Sequence, residues 1–353
     1  MMRHNIRLIN AYSMFLSAIF VLPVLVPYYT DVVGLGFREF LIGEALFSGI
    51  VIVMEVPSGW LSDIWRRKNV LALSVLFGMA GYAVLLIADS LVDILIAQGL
   101  IGVGLALHSG TGTALLYDTL AADDAADSYR KREGTRHGMA MGATAVAAVS
   151  GGALYSIDVY APLVFDIAAL GLALVCTLLM REPPRIRQQA EHSIIGDMLA
   201  TMRYCLRGHK QIAALIFFCA MLFTTTKLLM WAQQPYYMSL NIDEGWFGVL
   251  MACGLTLGAA SARLGHTLEH YIRPRTILII LWGLCIATAG IAGAWPGVAA
   301  IPLLFIGSLA FGLGNPVMHD ALNNRVGSER RATVISTASL MIHIGFIPLS
   351  IIF

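Results

Sequence analysis

Charge is what this chain lacks. Only 13% of its 353 residues are Asp, Glu, Lys or Arg, and its mean hydropathy is +0.75. An ordinary soluble domain carries about 25% charged residues. The formal net charge of +1 gives no electrostatic case for nucleic acid or for an acidic partner. Cysteine is also sparse: Cys176, Cys205, Cys219, Cys253 and Cys285 lie in apolar runs or in a basic segment, with no CxxC spacing. That argues against a disulfide framework and against a zinc site. Enzyme signatures are missing too. There is no HExxH, no nucleophile elbow and no His/Asp metal cluster. The GxG pairs (Gly102 with Gly104, Gly312 with Gly314) fall inside apolar helical runs rather than after strands. Neither an enzyme nor a resident metal or cofactor is expected.

What the chain has is long apolar runs. About 20 apolar residues cross the roughly 30 Å hydrocarbon core as a helix, because the bilayer offers no water to an open backbone. Eleven runs qualify, near 6–29, 40–62, 69–89, 93–118, 134–157, 159–180, 211–240, 245–265, 275–294, 297–322 and 331–353. Prolines within them (Pro23, Pro27, Pro57, Pro302, Pro316) do not forbid a membrane helix, since neighbouring helices satisfy the freed groups. The opening "MMRHNIRLINAYSMFLSAIFVLPVLVPYY" starts with bases, but its apolar part is too long for a signal peptide and reads as a retained first helix. The class is an all-α polytopic membrane protein, with the lipid bilayer as its surroundings.

The bases set the orientation. With a cytoplasmic amino terminus in an inner membrane, 21 of the 23 Lys and Arg residues fall on inner segments. Arg38 lies outside and Lys227 within the membrane. This is the positive-inside asymmetry. Residues 181–210, with a Pro-Pro break and mixed charge, read as a cytoplasmic linker carrying an amphipathic helix on the membrane surface. They separate a six-helix bundle at 1–180 from a five-span bundle at 211–353. The parts echo each other: the fourth span ends "ALLYDTLA" and the tenth "PVMHDALN", while the third opens "RRKNVL" and the ninth "RPRTIL". An even number of helices separates the copies, so they share one orientation, as in parallel-repeat transporters. Such a plan pairs six with six, and a twelfth helix is expected to be missing from this sequence.

Between the second and third spans stands "GWLSDIWRRKNVL", Gly59 to Leu71. The stretch resembles the loop signature of the major facilitator superfamily, G-x-L-A-D-R-x-G-R-[RK]-x-x-L. Gly59, Leu61, Asp63, Arg67, Lys68 and Leu71 match, whereas Ile64 and Arg66 replace the usual Arg and Gly. "EVPSG", "ALLYDTLA" and "RVGSERRATVIS" are similar to the "EVPTG" branch of bacterial efflux-type members. The resemblance implies a conformational latch of Gly59, Asp63, Arg67, Lys68, Asp118 and Arg331. In it Gly59 allows close approach of the second and eleventh helices, and Asp63 takes loop bases and the first turn of helix 11. The bland alternative is that the bases only anchor topology. One departure is "ATAVAAVSGG", where Ala147 and Ala148 stand in place of the Gly-Pro that family antiporters often carry on the fifth helix.

Ionisable groups at membrane depth are functional candidates. Glu55, two turns from Asp63 and next to Pro57, is a candidate for substrate contact and proton coupling; the alternative is a structural Glu. Lys227 interrupts "MLFTTTKLLMWAQQPYY" and needs a carboxylate (Glu55 or Asp166) or an anionic group on a substrate. Trp231 and Gln234 on the same helix join it as expected substrate ligands. His108, before "SGTGT", and Tyr12 are further candidates, with close packing as the competing reading for His108. His343 reads as a core histidine, with a proton relay as the alternative. Asp118 and Asp320 read as inner-gate charges near the bases that follow them. Together these features anticipate a secondary transporter, acting as a monomer, that moves a small organic solute by alternating access. Proton-coupled efflux is the leading mode. The alternatives are proton symport or facilitated diffusion of an anionic metabolite and, further off, a non-transporting sensor or a membrane enzyme.

Overall fold

A computed structural model describes residues 2–184, 210–269, 271–323, 325 and 331–352. Within them every regular element is helical. Ten helical stretches are long and apolar enough to cross a membrane: Arg3–Val32, Phe37–Ile64, Arg67–Leu86, Leu91–Ala121, Ala126–Ile157, Ala161–Leu179, Lys210–Ser239, Glu244–Leu264, Pro274–Ala294 and Val298–Leu322. An eleventh helix, Arg331–Ile352, contains the shorter apolar stretch Thr337–Ile351. The surface-helix expectation for the linker falls mostly on residues outside the described ones. Val53 and Val146 are 69% and 67% exposed in mid-helix. A water-soluble bundle would bury such side chains; a bilayer solvates them.

Local sequence explains where the helices start and break. Ser90 begins the fourth span with reciprocal bonds, its hydroxyl donating to Asp93 at 2.6 Å and accepting from the Asp93 amide at 3.4 Å. Continuous helix runs through Pro57, Pro235, Pro316 and Pro348. The first span, expected as one helix, instead stops at Ser17 and resumes as short turns from Leu22 to Val32. The fourth is interrupted at Ser109 and Gly110, and Gly110 takes φ +76°, a conformation open to glycine at little cost.

The described residues form two compact units. One holds the first six spans together with Asp243–Met251; the other holds the remaining spans. The boundary expected from sequence had placed Asp243–Met251 with the second bundle. In the first unit, span one packs on spans five and six and span three on span four. Its core includes Ile9, Tyr12, Leu71, Leu116 and Ala173. In the second, span seven packs on span eleven and span nine on span ten, around Cys219, Leu278, Ala310 and Ala338. Pairings one–five and three–four thus recur as seven–eleven and nine–ten, which is what a parallel repeat requires.

The glycines of "SGG" on the fifth span make backbone contacts. A Cβ on Gly151 would overlap the Phe20 carbonyl, and one on Gly152 would lie 2.7 Å from the Gly245 carbonyl oxygen. Opposite them, Gly248 rests on the Ala148 carbonyl. Small residues let helices approach this closely in a bilayer. Gly171, by contrast, has nothing within 4 Å of such a Cβ. Replacing Gly151 by Ala is therefore expected to cost about 1–3 kcal/mol through overpacking. Gly171→Ala is expected to leave the unfolding midpoint in detergent unchanged. Equal effects of the two substitutions would refute the packing assignment.

Candidate functional site

Two polar networks lie in the first unit. The outer one gathers at the basic end of the bundle. Arg67 forms an ion pair with Asp118 of the fourth span. The Arg67 and Lys68 amides donate to the two oxygens of Glu182, at 2.8 and 3.0 Å. A carboxylate at the first turn of the third span offsets the partial charge of its unpaired amides. Lys68 Nζ donates to the Met180 carbonyl at 3.2 Å. Asn5 joins the first span to the end of the sixth, donating to the Arg181 carbonyl at 2.7 Å and accepting from its amide at 3.0 Å. A cavity of about 630 Å³ opens here, lined by Arg66, Lys68, Met180, Arg181 and Glu182.

This arrangement redistributes the expected latch. Arg67 and Asp118 are brought together, although the bases nearest in sequence to Asp118 follow it in the chain. Asp63 is exposed at the end of the second span. Gly59 is exposed, and a Cβ there would have nothing within 4 Å. Arg331 begins the last helix, and its side chain lies outside the described ones.

The inner network lies deeper in the bundle. The Tyr12 hydroxyl is 3.0 Å from His108 Nδ1, and Tyr12 is completely buried. Arg136, one turn after Glu133 on the fifth span, donates Nε to Glu133 Oε2 at 2.9 Å and Nη2 to Oε1. Its Nη1 donates to the Ser13 hydroxyl at 3.0 Å, and Nη2 lies 3.4 Å from the Thr113 hydroxyl. The Arg136 side chain is 12% exposed. Gly112 packs close to these groups: a Cβ there would sit 3.3 Å from His108 Cε1 and 3.9 Å from Arg136 Nη1. Tyr12 and His108 were candidates from sequence, and the fold joins them. Arg136 was not, because the charge pattern counts it among the inner bases. It stands at the very start of the apolar run near 134–157, so no sequence signal set it apart.

The remaining candidates lie elsewhere. Glu55 is half-buried on the second span, its carbonyl accepting from the Ser58 hydroxyl at 3.0 Å. Asp166, one of the carboxylates considered for Lys227, accepts from the Phe20 and Val21 amides at 2.6 and 3.1 Å. In the second unit, Lys227 Nζ stands 3.9 Å from the Phe346 ring centre, a cation–π contact. Trp231 and Gln234 are buried, at 4% and 6% exposure. The neighbouring Gln233 donates to the Leu304 carbonyl at 3.1 Å. His343 is half-buried.

The chain matches the family model of the Major Facilitator Superfamily over residues 7–348. No curated protein matches it by sequence. Among solved structures it resembles a variant of the nucleoside transporter NupG, with a TM-score of 0.82 at 14% identity over 100% of this chain and 90% of that one. A bacterial homolog of the human lysosomal transporter Spinster, inward-facing and unoccupied, gives 0.78 at 17% identity over 100% and 81%. A D-xylose-proton symporter gives 0.72 at 13% over 99% and 89%. At these identities the likeness shows the fold.

The Arg67–Asp118 pair is partly shielded, with side-chain exposures of 16% and 20%. Arg67→Gln and Asp118→Asn are each expected to lower the unfolding midpoint. The double substitution should cost less than their sum, by about 0.5–3 kcal/mol, as for groups in direct contact. Thermal unfolding of the four proteins checks this; strict additivity would mean that the pair contributes nothing.

Proposed function

The chain belongs to the major facilitator superfamily, and we propose that it is a proton-coupled exporter of a small organic solute. As a member of that family it is a multi-pass membrane transporter and not an enzyme. The observation that carries the finer reading is the inner network. A guanidinium and a carboxylate of the fifth span lie beside an imidazole of the fourth in one bundle, with the Tyr12 and Ser13 hydroxyls of the first span on them. Ionisable groups at that depth are costly and mark substrate or proton pathways. The likeness of "EVPSG" and "ALLYDTLA" to efflux-type members favours export. The base asymmetry supports a reading in which the Arg67 end of the bundle, and the amino terminus with it, faces the cytoplasm across an inner membrane.

Of the carboxyls, Glu133 is the favoured proton carrier, because it already holds the cation that a solute would compete for. Glu55 is the second candidate. The Arg67–Asp118–Glu182 network serves as the latch at the cytoplasmic end. Lys227 favours a second reading, in which the protein takes up an anionic metabolite by symport or facilitated diffusion, with Trp231 and Gln234 beside it.

Proteoliposomes loaded with a pH-sensitive dye and challenged with a solute panel test this. A transported solute should move protons in fixed proportion. Glu133→Gln is expected to abolish gradient-driven flux while leaving solute exchange across the membrane intact. The same phenotype from Glu55→Gln, with Glu133→Gln still coupled, moves the proton carrier to the second span. Solute flux indifferent to an imposed pH gradient removes proton coupling altogether.

A further inference from the structure

Resting on the reading of the chain as a transporter of small organic solutes, we propose that Arg136 is the centre of a carboxylate-binding site. The solute's carboxylate would sit between the guanidinium, the Ser13 and Thr113 hydroxyls and the His108 ring. The solutes are then organic acids, whichever way they travel.

The guanidinium carries the argument. Its Nε and one Nη2 bond are spent on Glu133, from the same helix. Its other contacts are neutral hydroxyls from two other spans, at 3.0 and 3.4 Å. An ionised oxygen is roughly twice as strong an acceptor for a guanidinium as a neutral one, and the planar fork matches a carboxylate in two-point contact. An incoming carboxylate therefore improves on the hydroxyls it displaces, and those hydroxyls are left placed to donate to it.

Access agrees. Gly112 is buried against His108 and Arg136, where a larger residue would crowd both. Tyr12 orients the ring through its bond to Nδ1. The neighbouring break leaves Ser109 and Gly110 exposed, while His108 and Thr113 are half-buried, so the site reaches the surface of the bundle. A purely structural role explains this less well, because a shielded ion pair is often replaceable by apolar side chains with no loss of stability.

The experiment is thermal unfolding of the purified full-length protein in detergent with matched pairs: benzoate and benzamide, nicotinate and nicotinamide, succinate and succinamide, with sulfate alongside. A ligand that binds only the folded state raises the midpoint. At least one carboxylate should stabilise the protein where its amide does not. Gly112→Ala, which crowds His108 and Arg136 but keeps every charge, should weaken that carboxylate about tenfold, and Arg136→Gln/Glu133→Gln, which removes both charges together, should abolish the effect. The site is overturned if no carboxylate stabilises, if amides do as well, if sulfate alone does, or if both variants respond like the wild type. Flux of the same compounds into proteoliposomes is read separately. Carboxylate binding without flux leaves the site and sinks transport. Proton-driven flux of an amide with no carboxylate binding leaves transport and sinks the site.

Discussion

Between Ser17 and Leu22 the first span gives up its helix, and in hydrocarbon the backbone groups set free there must find partners inside the protein. Asp166 supplies them from the sixth span, with one carboxylate oxygen on the Phe20 amide and the other on the Val21 amide. Thr144 of the fifth span donates to the Ser17 carbonyl at 2.8 Å. Gly151, two turns further along the same face, lets the Phe20 carbonyl lie against the fifth helix. Three bonds and one missing side chain thus tie the broken span to both helices it packs on. Tyr12 and Ser13 lie just before the break, so the inner network is held in place by this seal. An aspartate that looks like a free charge in an apolar run is instead a backbone cap.

That role was not legible from sequence, and the reason is general. Apolar period and base asymmetry are properties of the chain, so the helices, their approximate ends and the two-bundle plan could be read from them. Which carboxylate meets which cation is a property of three-dimensional packing. Asp118 reads as a partner for the bases that follow it, yet Arg67, fifty-one residues earlier, takes it. Tyr12 and His108 were singled out for residue type and depth, and packing happens to join them. Arg136 was hidden by success elsewhere: it fits the positive-inside count so well that nothing marks it as buried. The interruption of the fourth span at Gly110 was likewise masked, because "SGTGT" is as compatible with close helix packing as with a break.

The charges of the inner network are retained against their desolvation cost. Replacing a shielded ion pair by apolar groups is often neutral or stabilising, whereas removing one partner is strongly destabilising. A bundle selected for stability alone has no use for Glu133 and Arg136 inside the fifth span. Their spacing of three residues makes the pair local to one helix, so it forms without fixing the distance between helices. What connects it to its neighbours is hydroxyls, which exchange partners at small cost. The arrangement combines a strong intrahelical bond with weak interhelical ones, which suits a group that must change partners.

The two networks share an element. The helix Thr111–Ala121 carries Gly112 and Thr113 at one end and Asp118 near the other, separated by about 8 Å along the axis. The Gly110 break detaches it from the rest of the fourth span, and the Thr111 hydroxyl repairs the gap by donating to the Leu107 carbonyl at 2.9 Å. Eleven residues set off by a break in the helix can shift as a unit with less distortion than a continuous thirty-one-residue span. A change of partner at Arg136 acts on Thr113, and the same rigid turn of helix carries Asp118 against Arg67. The Arg136 network and the Arg67–Asp118 ion pair therefore share one short helix, and Gly110 separates that helix from the rest of the fourth span.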